Sequence, residues 1–251
     1  MPELEFHQFI AGHDNYCVLV HDPVARTTLS IDAPDAALIS RELAAKGWNL
    51  TDILVTHHHG DHTAGNVALK QATGCRIVGP AAESHKIPAL DETVREGSSV
   101  QVGRAAYKVI ETPGHTLGHI AYHDTVAKAA FVGDTLFTVG CGRVIEGDYP
   151  MMWASLSKLA ELPPETMIYC GHDYTAANIR FALTIEPGNV PLQQRARDAA
   201  DTRMEPTRLS DELATNPFLR ADTAPIRRLL GLDGVPAWKV FGEIRERKNR
   251  G

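Results

Sequence analysis

Cysteines are few in this chain of 251 residues, and long apolar segments are missing from it. The four cysteines lie far apart and form no C-x-x-C pair, which argues against a disulfide framework and favours structural thiols in a reducing compartment. No apolar run comes near the roughly 18 residues that a membrane-spanning helix needs. The first 30 residues have no basic start followed by an apolar core, so we expect no secretory signal and a cytoplasmic location.

An excess of positive charge is also absent. The net charge is −6 and the isoelectric point is near 6.0, values that argue against a general nucleic-acid binder. Residues 1–172 contain 12 basic and 20 acidic residues, whereas residues 173–251 contain 13 and 11. The acidic excess suits bound cations, and the basic C-terminal part suits either an anionic small molecule or a solvated helix surface. We therefore expect a small molecule as the partner, and neither nucleic acid nor a membrane.

Hydrophobic periodicity and turn residues predict short strands mixed with helices up to residue 172, and helices alone after it. We expect strands at 6–9, 16–20, 27–31, 52–56, 76–78, 99–102, 106–110, 120–123, 129–132 and 166–170. We expect helices at 34–46, 63–73, 151–162, 175–185, 190–203, 211–214, 225–230 and 237–248. This change of class predicts one domain at 1–172 and a second, all-helical domain at 173–251.

A dense cluster of metal-ligand side chains follows the predicted strand at 52–56. The sequence there is THHHGDH at positions 56–62, with donors spaced H-x-H-x-D-H. In an extended segment residues i and i+2 lie on one side, so His57 and His59 can point to one centre while His58 points away. Imidazole and carboxylate groups suit zinc, iron and related ions. Solvated loop histidines, in a chain with 12 His, are the alternative interpretation.

Three further donors follow predicted strands, and each comes directly after a glycine that lets the backbone turn sharply: His115, Asp134 and His172. The inventory of seven donors then suits two metals. One ion has three nitrogens, from His57, His59 and His115. The second ion has the donors of Asp61, His62 and His172, and Asp134 can bridge the two. Coordination lowers the pKa of bound water to about 7, so we expect a hydroxide shared by the two ions as the nucleophile.

The remaining histidines and one acidic residue have other predicted roles. His119 is close to His115 and is a candidate for steadying a ligand from outside the metal centre. Asp32 lies at the end of a predicted strand and is a candidate for steadying the histidine loop. We expect structural or solvated positions for His7, His13, His21, His85 and His123.

This ligand pattern resembles that of the metallo-β-lactamase superfamily, whose hallmark is T-H-x-H-x-D-H followed by a His, an Asp and a His at later strand ends. The resemblance implies an α+β fold, an αββα sandwich with the metals at one edge, here followed by an all-helical C-terminal domain. The superfamily contains hydrolases, a persulfide dioxygenase, nucleases and flavoprotein electron carriers, so the core motif alone does not determine a reaction.

Motifs across nearly the whole chain are similar to those of the glyoxalase II, or hydroxyacylglutathione hydrolase, family. They are THHHGDHTAGN at 56–66, PGHTLGHI at 113–120, GDTLF at 133–137, GCGR at 140–143, YCGHDYT at 169–175 and NPFLR at 216–220. The family hydrolyses S-acylglutathione thioesters, chiefly S-D-lactoylglutathione, to a free acid such as D-lactate and glutathione, in methylglyoxal detoxification. The resemblance implies a metal-dependent thioesterase with two divalent ions per chain as cofactors: zinc, or else iron or manganese.

The resemblance also implies residues that bind the glutathione portion. The family has a basic residue after the G-C-G turn, here Arg143, and a Tyr two residues after the last histidine ligand, here Tyr174. It has R-x-x-K near the C-terminus, matched by Arg245 and Lys248, although a solvated terminal helix is the alternative for these two. Cationic donors suit the two carboxylates of glutathione. One departure is Ile145, which stands where the family often has Tyr, so a hydroxyl is missing there.

Other functions compete with the thioesterase. A mononuclear iron persulfide dioxygenase of the same superfamily would need only part of the ligand set, whereas seven donors and a long helical tail favour the hydrolase. A lactonase or a nuclease is the second alternative, and the acidic balance of the main domain speaks against a nuclease. The third is a non-enzymatic metal protein, which would show no thioesterase turnover.

Overall fold

The first of two six-stranded sheets is built from strands that follow one another in the chain. A computed structural model describes residues 3–198 and 206–250. The strands of this sheet are β1 (Glu5–Ala11), β2 (Asn15–Asp22), β3 (Thr27–Ile31), β4 (Asp52–Leu54), β5 (Arg76–Pro80) and β6 (Glu92–Val94). β1 to β3 form an antiparallel meander, and β4 to β6 are added in parallel to β3. The parallel strands β3 to β5 therefore all end at one edge of the sheet.

The second sheet is antiparallel except for one parallel pair of strands. Its first four strands are β7 (Ser99–Val102), β8 (Ala105–Glu111), β9 (Ile120–Asp124) and β10 (Ala129–Gly133). A short hairpin follows, made of β11 (Leu136–Phe137) and β12 (Gly140–Cys141). The sheet is completed by β13 (Met167–Cys170) and β14 (Thr207–Arg208). Because β13 pairs in parallel with β10, both of these strands end at the same edge.

Helices cover the outer faces of both sheets. Those in the first part of the chain are α1 (Ala36–Lys46), α2 (Gly60–Thr63), α3 (Asn66–Thr73), a 3₁₀ helix (Ala81–Lys86) and α4 (Tyr149–Ala160). Those that follow are α5 (Thr175–Ile185), α6 (Val190–Asp198), α7 (Leu209–Thr215), α8 (Ala224–Leu230) and α9 (Ala237–Arg250). Helix α1 begins where the side chain of Asp35 accepts two backbone N–H groups, and it ends at Gly47 in the left-handed conformation.

Three apolar clusters hold these layers together. The first joins the facing sides of the two sheets and includes Val20, Val109 and Phe131. The second lies between the first sheet and helices α1 and α3. The third lies between the second sheet, α4 and the C-terminal helices, where Met152 and Phe241 are buried together. Since the third cluster contains residues from both sides of position 172, α9 is held firmly against the sandwich.

The predicted αββα architecture with a helical C-terminal part is confirmed, with differences in detail. The predicted helix at 63–73 is two helices, α2 and α3. The short strands β6, β11, β12 and β14 were not predicted, and β14 places a strand within the part that was predicted to be helical throughout. The predicted helix at 190–203 is observed to Asp198, and its last five positions lie outside the described residues. Within the described residues, no helix combines the length and apolar character needed to cross a membrane.

Candidate metal centre

The seven predicted donors meet at one edge of the sandwich, where strands β4, β8, β10 and β13 end. His57 and His59 lie in the loop after β4, and Asp61 and His62 lie in the first turn of α2. The loops after β8, β10 and β13 contribute His115, Asp134 and His172, respectively. The two sheets are linked at this edge, because the N–H of Ile120 donates to the carbonyl oxygen of Thr56 at 3.0 Å.

The first group of donors consists of His57, His59 and His115. Nε2 of His57 lies 3.0 Å from Nδ1 of His59, and the same Nδ1 lies 3.1 Å from Nε2 of His115. One ligand atom from each of the three residues falls within 4.8 Å of the others. Three imidazole nitrogens that face one another at this spacing form a suitable site for a divalent metal ion.

The second group of donors consists of Asp61, His62 and His172. Nε2 of His62 lies 3.3 Å from Nε2 of His172, and Oδ2 of Asp61 lies 3.4 Å from the same His172 nitrogen. The two histidines are buried, whereas the Asp61 side chain is 52% exposed. These three donors also lie within 4.8 Å of one another.

The carboxylate of Asp134 lies between the two groups. Its Oδ1 is 3.4 Å from Nε2 of His62, and its Oδ2 is 3.4 Å from Nε2 of His115 and 3.3 Å from Nε2 of His172. Oδ1 is buried and accepts no hydrogen bond from the described residues. A buried carboxylate oxygen without a donor is costly unless a cation neutralises it. The donors present therefore fit the binding of divalent cations beside Asp134.

Outer hydrogen bonds determine which nitrogen each histidine presents to the centre. Nδ1 of His62 lies 2.8 Å from Oδ2 of Asp32, and Nδ1 of His172 lies 3.0 Å from Oδ1 of Asp14. Nδ1 of His115 lies 2.8 Å from the main-chain carbonyl oxygen of residue 143. In each pair Nδ1–H donates outward, which leaves the Nε2 lone pair facing the metal positions. Asp32 also accepts the N–H of Thr56 at 2.7 Å, as expected for a residue that steadies the histidine loop.

The protonation of the histidines follows from burial and from nearby carboxylates. Burial, reinforced by the charge of neighbouring imidazoles such as His62, lowers the pKa of His57 well below its ordinary value. Burial opposes protonation of His172 as well, yet Asp134, Asp61 and Asp14 raise its pKa to about 11. The carboxylates around the second group thus favour a positive charge at this point, as a divalent cation would supply.

His58 and His119 lie where the sequence predicted them, outside the two groups of donors. Nδ1 of His58 is 2.9 Å from Glu83 and its Nε2 is 3.6 Å from Glu146, so the ring points away from Asp134 and the other donors. Nε2 of His119 accepts the backbone N–H of Asp134 at 3.1 Å. Neither ring faces the metal positions, but His119 positions the loop that carries Asp134.

Three further residues of the site were missed by the sequence argument. Glu83 is buried, and its two oxygens accept the N–H groups of His58 and Gly118, each at 2.8 Å. This carboxylate ties the first histidine loop to the loop that carries His115. Asp14, in the turn between β1 and β2, and Asn15, the first residue of β2, contact donors of the second group. Their positions in ordinary turn segments carried no signal, because nothing local marks them as parts of a metal centre.

Gly171 is required by the close packing around the carboxylate of Asp134. A Cβ atom at Gly171 would lie 2.3 Å from Oδ1 of Asp134 and 2.9 Å from Cε1 of His62. Neither of these atoms can move without displacing a donor. The glycine before His172 is therefore a requirement of the site, and not only a means to turn the chain.

A cavity of about 840 Å³ opens onto the donors and extends to the C-terminal helix. Its lining includes five of the seven donors and all four predicted glutathione-binding residues, Arg143, Tyr174, Arg245 and Lys248. His57 and His62 are buried behind the lining, in contact with His59 and His172. The cavity is therefore lined both by metal donors and by the cationic residues Arg143, Arg245 and Lys248.

The predicted glutathione-binding side chains are held in place by contacts within the chain. Arg245 is only 3% exposed, which rules out the solvated-helix interpretation for this residue, and its Nη1 donates to the carbonyl oxygen of Cys141 at 3.0 Å. Nζ of Lys248 donates to Oδ1 of Asn178 at 2.6 Å. Burial, and next the charge of Arg245, lower the pKa of Lys248 to about 8. The ring of Tyr174 stacks on the ring of His172, with centroids 5.0 Å apart.

Ile145 also lines the cavity and is 52% exposed there. It lies beside Arg143 and Val144 in the loop that follows β12. An apolar side chain therefore occupies the position where a tyrosine hydroxyl was expected from the resemblance.

Comparisons with known proteins match the two parts of the chain separately. Residues 9–172 match the model of the metallo-beta-lactamase superfamily, and residues 173–251 match that of the hydroxyacylglutathione hydrolase C-terminus. A hydroxyacylglutathione hydrolase of Rhodopseudomonas palustris (strain BisB18) is 52% identical over 251 residues, which cover 98% of both chains. A hydroxyacylglutathione hydrolase of Brucella anthropi is 52% identical over 253 residues, covering 99% of this chain and 97% of the relative.

A solved structure also matches the chain along its length. The crystal structure of ETHE1 from Myxococcus xanthus superimposes with a TM-score of 0.69 at 25% sequence identity. The match covers 98% of this chain and 99% of that one. The arrangement of the sandwich and of the helices that follow it is therefore shared with an experimentally determined structure.

Proposed function

Since this chain belongs to the hydroxyacylglutathione hydrolase family of the metallo-β-lactamase superfamily, we propose that it hydrolyses S-acylglutathione thioesters, chiefly S-D-lactoylglutathione. The products are a free 2-hydroxy acid and glutathione. The observation that carries the proposal is one cavity whose lining contains both clustered metal donors and cationic side chains. A thioester with an anionic thiol portion suits both sets of residues at once.

Two divalent ions per chain, most simply zinc, are the proposed cofactors. His57, His59 and His115 would hold one ion, Asp61, His62 and His172 would hold the other, and Asp134 would lie between them. When bound, such ions supply a water acidic enough to act as a nucleophile near neutral pH and a Lewis acid that polarises the carbonyl. Oδ1 of Asp134 is buried and accepts no hydrogen bond from the described residues, and carboxylates cluster around His172; both features support a cationic centre here.

The chain itself orients the centre and the substrate. Asp32, Asp14 and the carbonyl oxygen of Arg143 fix three imidazole rings by their Nδ1 atoms, so the donors need little rearrangement. Glutathione departs as a thiolate, which is a good leaving group, so no protein residue is required to protonate the sulfur as it leaves. We therefore assign no side chain as a general acid.

The glutathione portion would lie against Arg143, Tyr174, Arg245 and Lys248. A guanidinium carries five N–H donors, and the contacts of Arg245 within the described residues use those on Nε and Nη1. The two N–H groups on Nη2 of Arg245 and two of the three N–H groups of Lys248 can therefore donate to a carboxylate of the substrate. At Ile145 the chain supplies apolar contact where a hydroxyl would otherwise bind the peptide backbone of glutathione.

The proposal is tested by comparing two thioesters with the same lactoyl group. One is S-D-lactoylglutathione, and the other carries the lactoyl group on a small neutral thiol. We expect a kcat/KM about tenfold to a hundredfold higher for the glutathione thioester, since charge-assisted hydrogen bonds contribute about 1.5–3 kcal/mol each. Chelator treatment should abolish turnover, and added divalent metal should restore it.

Several results would contradict the proposal. Equal kcat/KM for the two thioesters would show that the enzyme does not recognise the glutathione portion. The absence of turnover with both thioesters would exclude thioesterase activity. A single iron per chain together with oxygen uptake would favour the mononuclear dioxygenase, which the comparisons support less than the hydrolase. Elemental analysis of the same sample separates these cases.

A cytoplasmic location is also part of the proposal. Cys17, Cys75, Cys141 and Cys170 are all buried as free thiols. Unpaired buried thiols are typical of a reducing compartment.

A further inference from the structure

The end of the turn between β1 and β2, together with the first residue of β2, contacts two donors of the second group. Oδ1 of Asp14 accepts a hydrogen bond from Nδ1 of His172 at 3.0 Å, although the residues are 158 positions apart. The neighbouring Nδ2 of Asn15 donates to the main-chain oxygen of Asp61 at 3.0 Å and to its Oδ2 at 3.3 Å. One dipeptide thus contacts a nitrogen ligand and an oxygen ligand of the same proposed metal position.

Backbone hydrogen bonds hold this turn in place. The N–H of Tyr16 donates to the carbonyl oxygen of Gly171, and the N–H of Asp173 donates to that of Asp14, both at 2.8 Å. Asn15 and His172 form an isolated antiparallel bridge. The turn therefore has a defined register against the segment that follows β13, and its side chains cannot shift independently of His172.

The contact with Asp61 matters because this donor is the one most exposed to solvent. Its side chain is 52% exposed, whereas those of His62, His172 and Asp134 are 2%, 5% and 9% exposed. Packing fixes the buried donors, but an exposed carboxylate can adopt other rotamers in water. The amide of Asn15 is the hydrogen-bond donor that holds Asp61 toward the centre.

The first group of donors is ordered by other residues. Nδ1 of His57 lies 3.0 Å from Oγ1 of Thr56, and Nδ1 of His115 lies 2.8 Å from a carbonyl oxygen in the loop after β12. We propose that Asp14 and Asn15 are positioning residues that set the affinity of the second metal position, and so decide whether the chain holds one ion or two. This inference rests on the proposed metal centre.

The test is a metal titration of four variants of the full chain. They are Asp14→Asn, Asp14→Ala, Asn15→Ala and the control Glu42→Gln. The control removes the charge from a matched carboxylate–imidazole pair, His7 with Glu42 at 3.0 Å, which joins β1 to α1 far from the donors. Each metal-free protein is titrated with zinc in competition with a chromophoric chelator, and the two dissociation constants are fitted separately.

We expect the second dissociation constant to rise about tenfold to a hundredfold in Asp14→Ala and in Asn15→Ala, the usual effect of losing an outer partner of a ligand. The first constant should stay within about threefold of the wild-type value. Asp14→Asn keeps an acceptor oxygen but loses the charge, so its second constant should lie between those of Asp14→Ala and the wild type. Excess zinc should restore the thioesterase activity of the variants, because these residues do not touch the substrate.

The possible results separate the inference from the proposed function. Two ions bound by every variant with unchanged constants would overturn the inference alone. Equal weakening of both constants would also overturn it, since that result indicates a general loss of structure. A wild-type protein that binds one ion would overturn the binuclear centre and the inference together. If Asp14→Ala does not fold, Asn15→Ala and Asp14→Asn decide the question.

Discussion

His119 and Asp134 are joined by a hydrogen bond in which the imidazole accepts a backbone N–H. The distance from Nε2 of His119 to the nitrogen of Asp134 is 3.1 Å, and Nδ1 of His119 lies 2.9 Å from the hydroxyl of Thr112. Burial lowers the pKa of His119 well below its ordinary value, so the ring is neutral and its Nε2 is free to accept. A histidine that belongs to neither group of donors thus sets the position of the carboxylate between the two groups.

His119→Leu should therefore destabilise the protein and loosen the metal centre. The N–H of Asp134 would be buried without an acceptor, which costs about 1–3 kcal/mol. Urea unfolding of the metal-free protein measures this loss, and metal titration measures the weaker centre. His85→Leu is the control, because His85 is exposed. A His119 variant with unchanged stability and metal affinity would show that the hydrogen bond has no role.

Gly171→Ala should reduce metal affinity even though it adds a single methyl group. The new Cβ would lie 2.3 Å from Oδ1 of Asp134, so the carboxylate has to move from its place between the two groups. We expect a loss of at least about tenfold in metal affinity, comparable to the loss of an outer partner. Gly188→Ala is the matched control, since a Cβ there meets nothing within 4 Å. Equal metal affinities of the two variants would contradict the prediction.

Asp134→Ala and His58→Ala should differ strongly in activity. Asp134 is the proposed bridge, and its removal should lower kcat/KM by more than the roughly hundredfold that an outer partner can cost. His58 contacts Glu83 and Glu146 instead of the metal positions, so its loss should be mild. Steady-state kinetics with metal analysis of both folded variants test this. Similar losses in the two would mean that the donor assignment is wrong.

Arg245→Ala and Lys248→Ala should raise KM for S-D-lactoylglutathione with little change in kcat. Both side chains line the cavity and are not metal donors, so we expect them to contribute equally to binding of the substrate and of the transition state. A charge-assisted hydrogen bond of about 1.5–3 kcal/mol corresponds to about a tenfold to hundredfold loss in kcat/KM, less for Lys248, which is partly exposed. Circular dichroism checks that the Arg245 variant folds, because this side chain is buried.

Arg247→Ala is the control for this pair. Arg247 lies on the same helix, is exposed, and pairs with Glu243 at 2.8 Å. Its replacement should leave KM unchanged. If the Arg245 and Lys248 variants behave like Arg247→Ala, the C-terminal helix does not bind the substrate.

The pH profile should show the titration of Lys248. Its pKa is lowered to about 8, so the ammonium is present below this pH and is lost above it. Since kcat/KM reports the pKa values of the free enzyme, kcat/KM for the glutathione thioester should fall as the pH rises through about 8. Lys248→Arg keeps its charge and should shift this fall to higher pH. An unchanged alkaline limb in Lys248→Arg and Lys248→Ala would assign the fall to another group.

Much of the fold was predictable from the sequence because the apolar residues of the longer helices and strands recur with a clear spacing. The strands around Val18 and Phe131 and the helix that ends at Gly47 lie where apolar spacing and turn residues predicted them. The strands β6, β11, β12 and β14 have two or three residues each, which is too few to show a period. They form because neighbouring strands offer backbone partners.

The break between α2 and α3 shows how tertiary contacts override a local pattern. The N–H of Gly65 donates to the carbonyl oxygen of Ala33 at 2.8 Å, outside the helix. A Cβ at Gly65 would lie 2.9 Å from the same oxygen, so only glycine permits this approach. The apolar spacing of 63–73 contains no information about Ala33, and a single helix was therefore the local expectation.

The amino-acid sequence was enough to predict which side chains can act as donors, how they divide between two metal positions and at which strand ends they lie. The spacing H-x-H-x-D-H and the glycines before His115, Asp134 and His172 are local features, and backbone geometry converts them directly into donors at one edge. Only the packing of the whole chain showed that Asp14 and Asn15 contact the second group and that Arg245 is buried beside the cavity. The reason is physical. These contacts join residues up to 158 positions apart, and such pairs meet only through the packing of two sheets and the terminal helix, which no local spacing encodes.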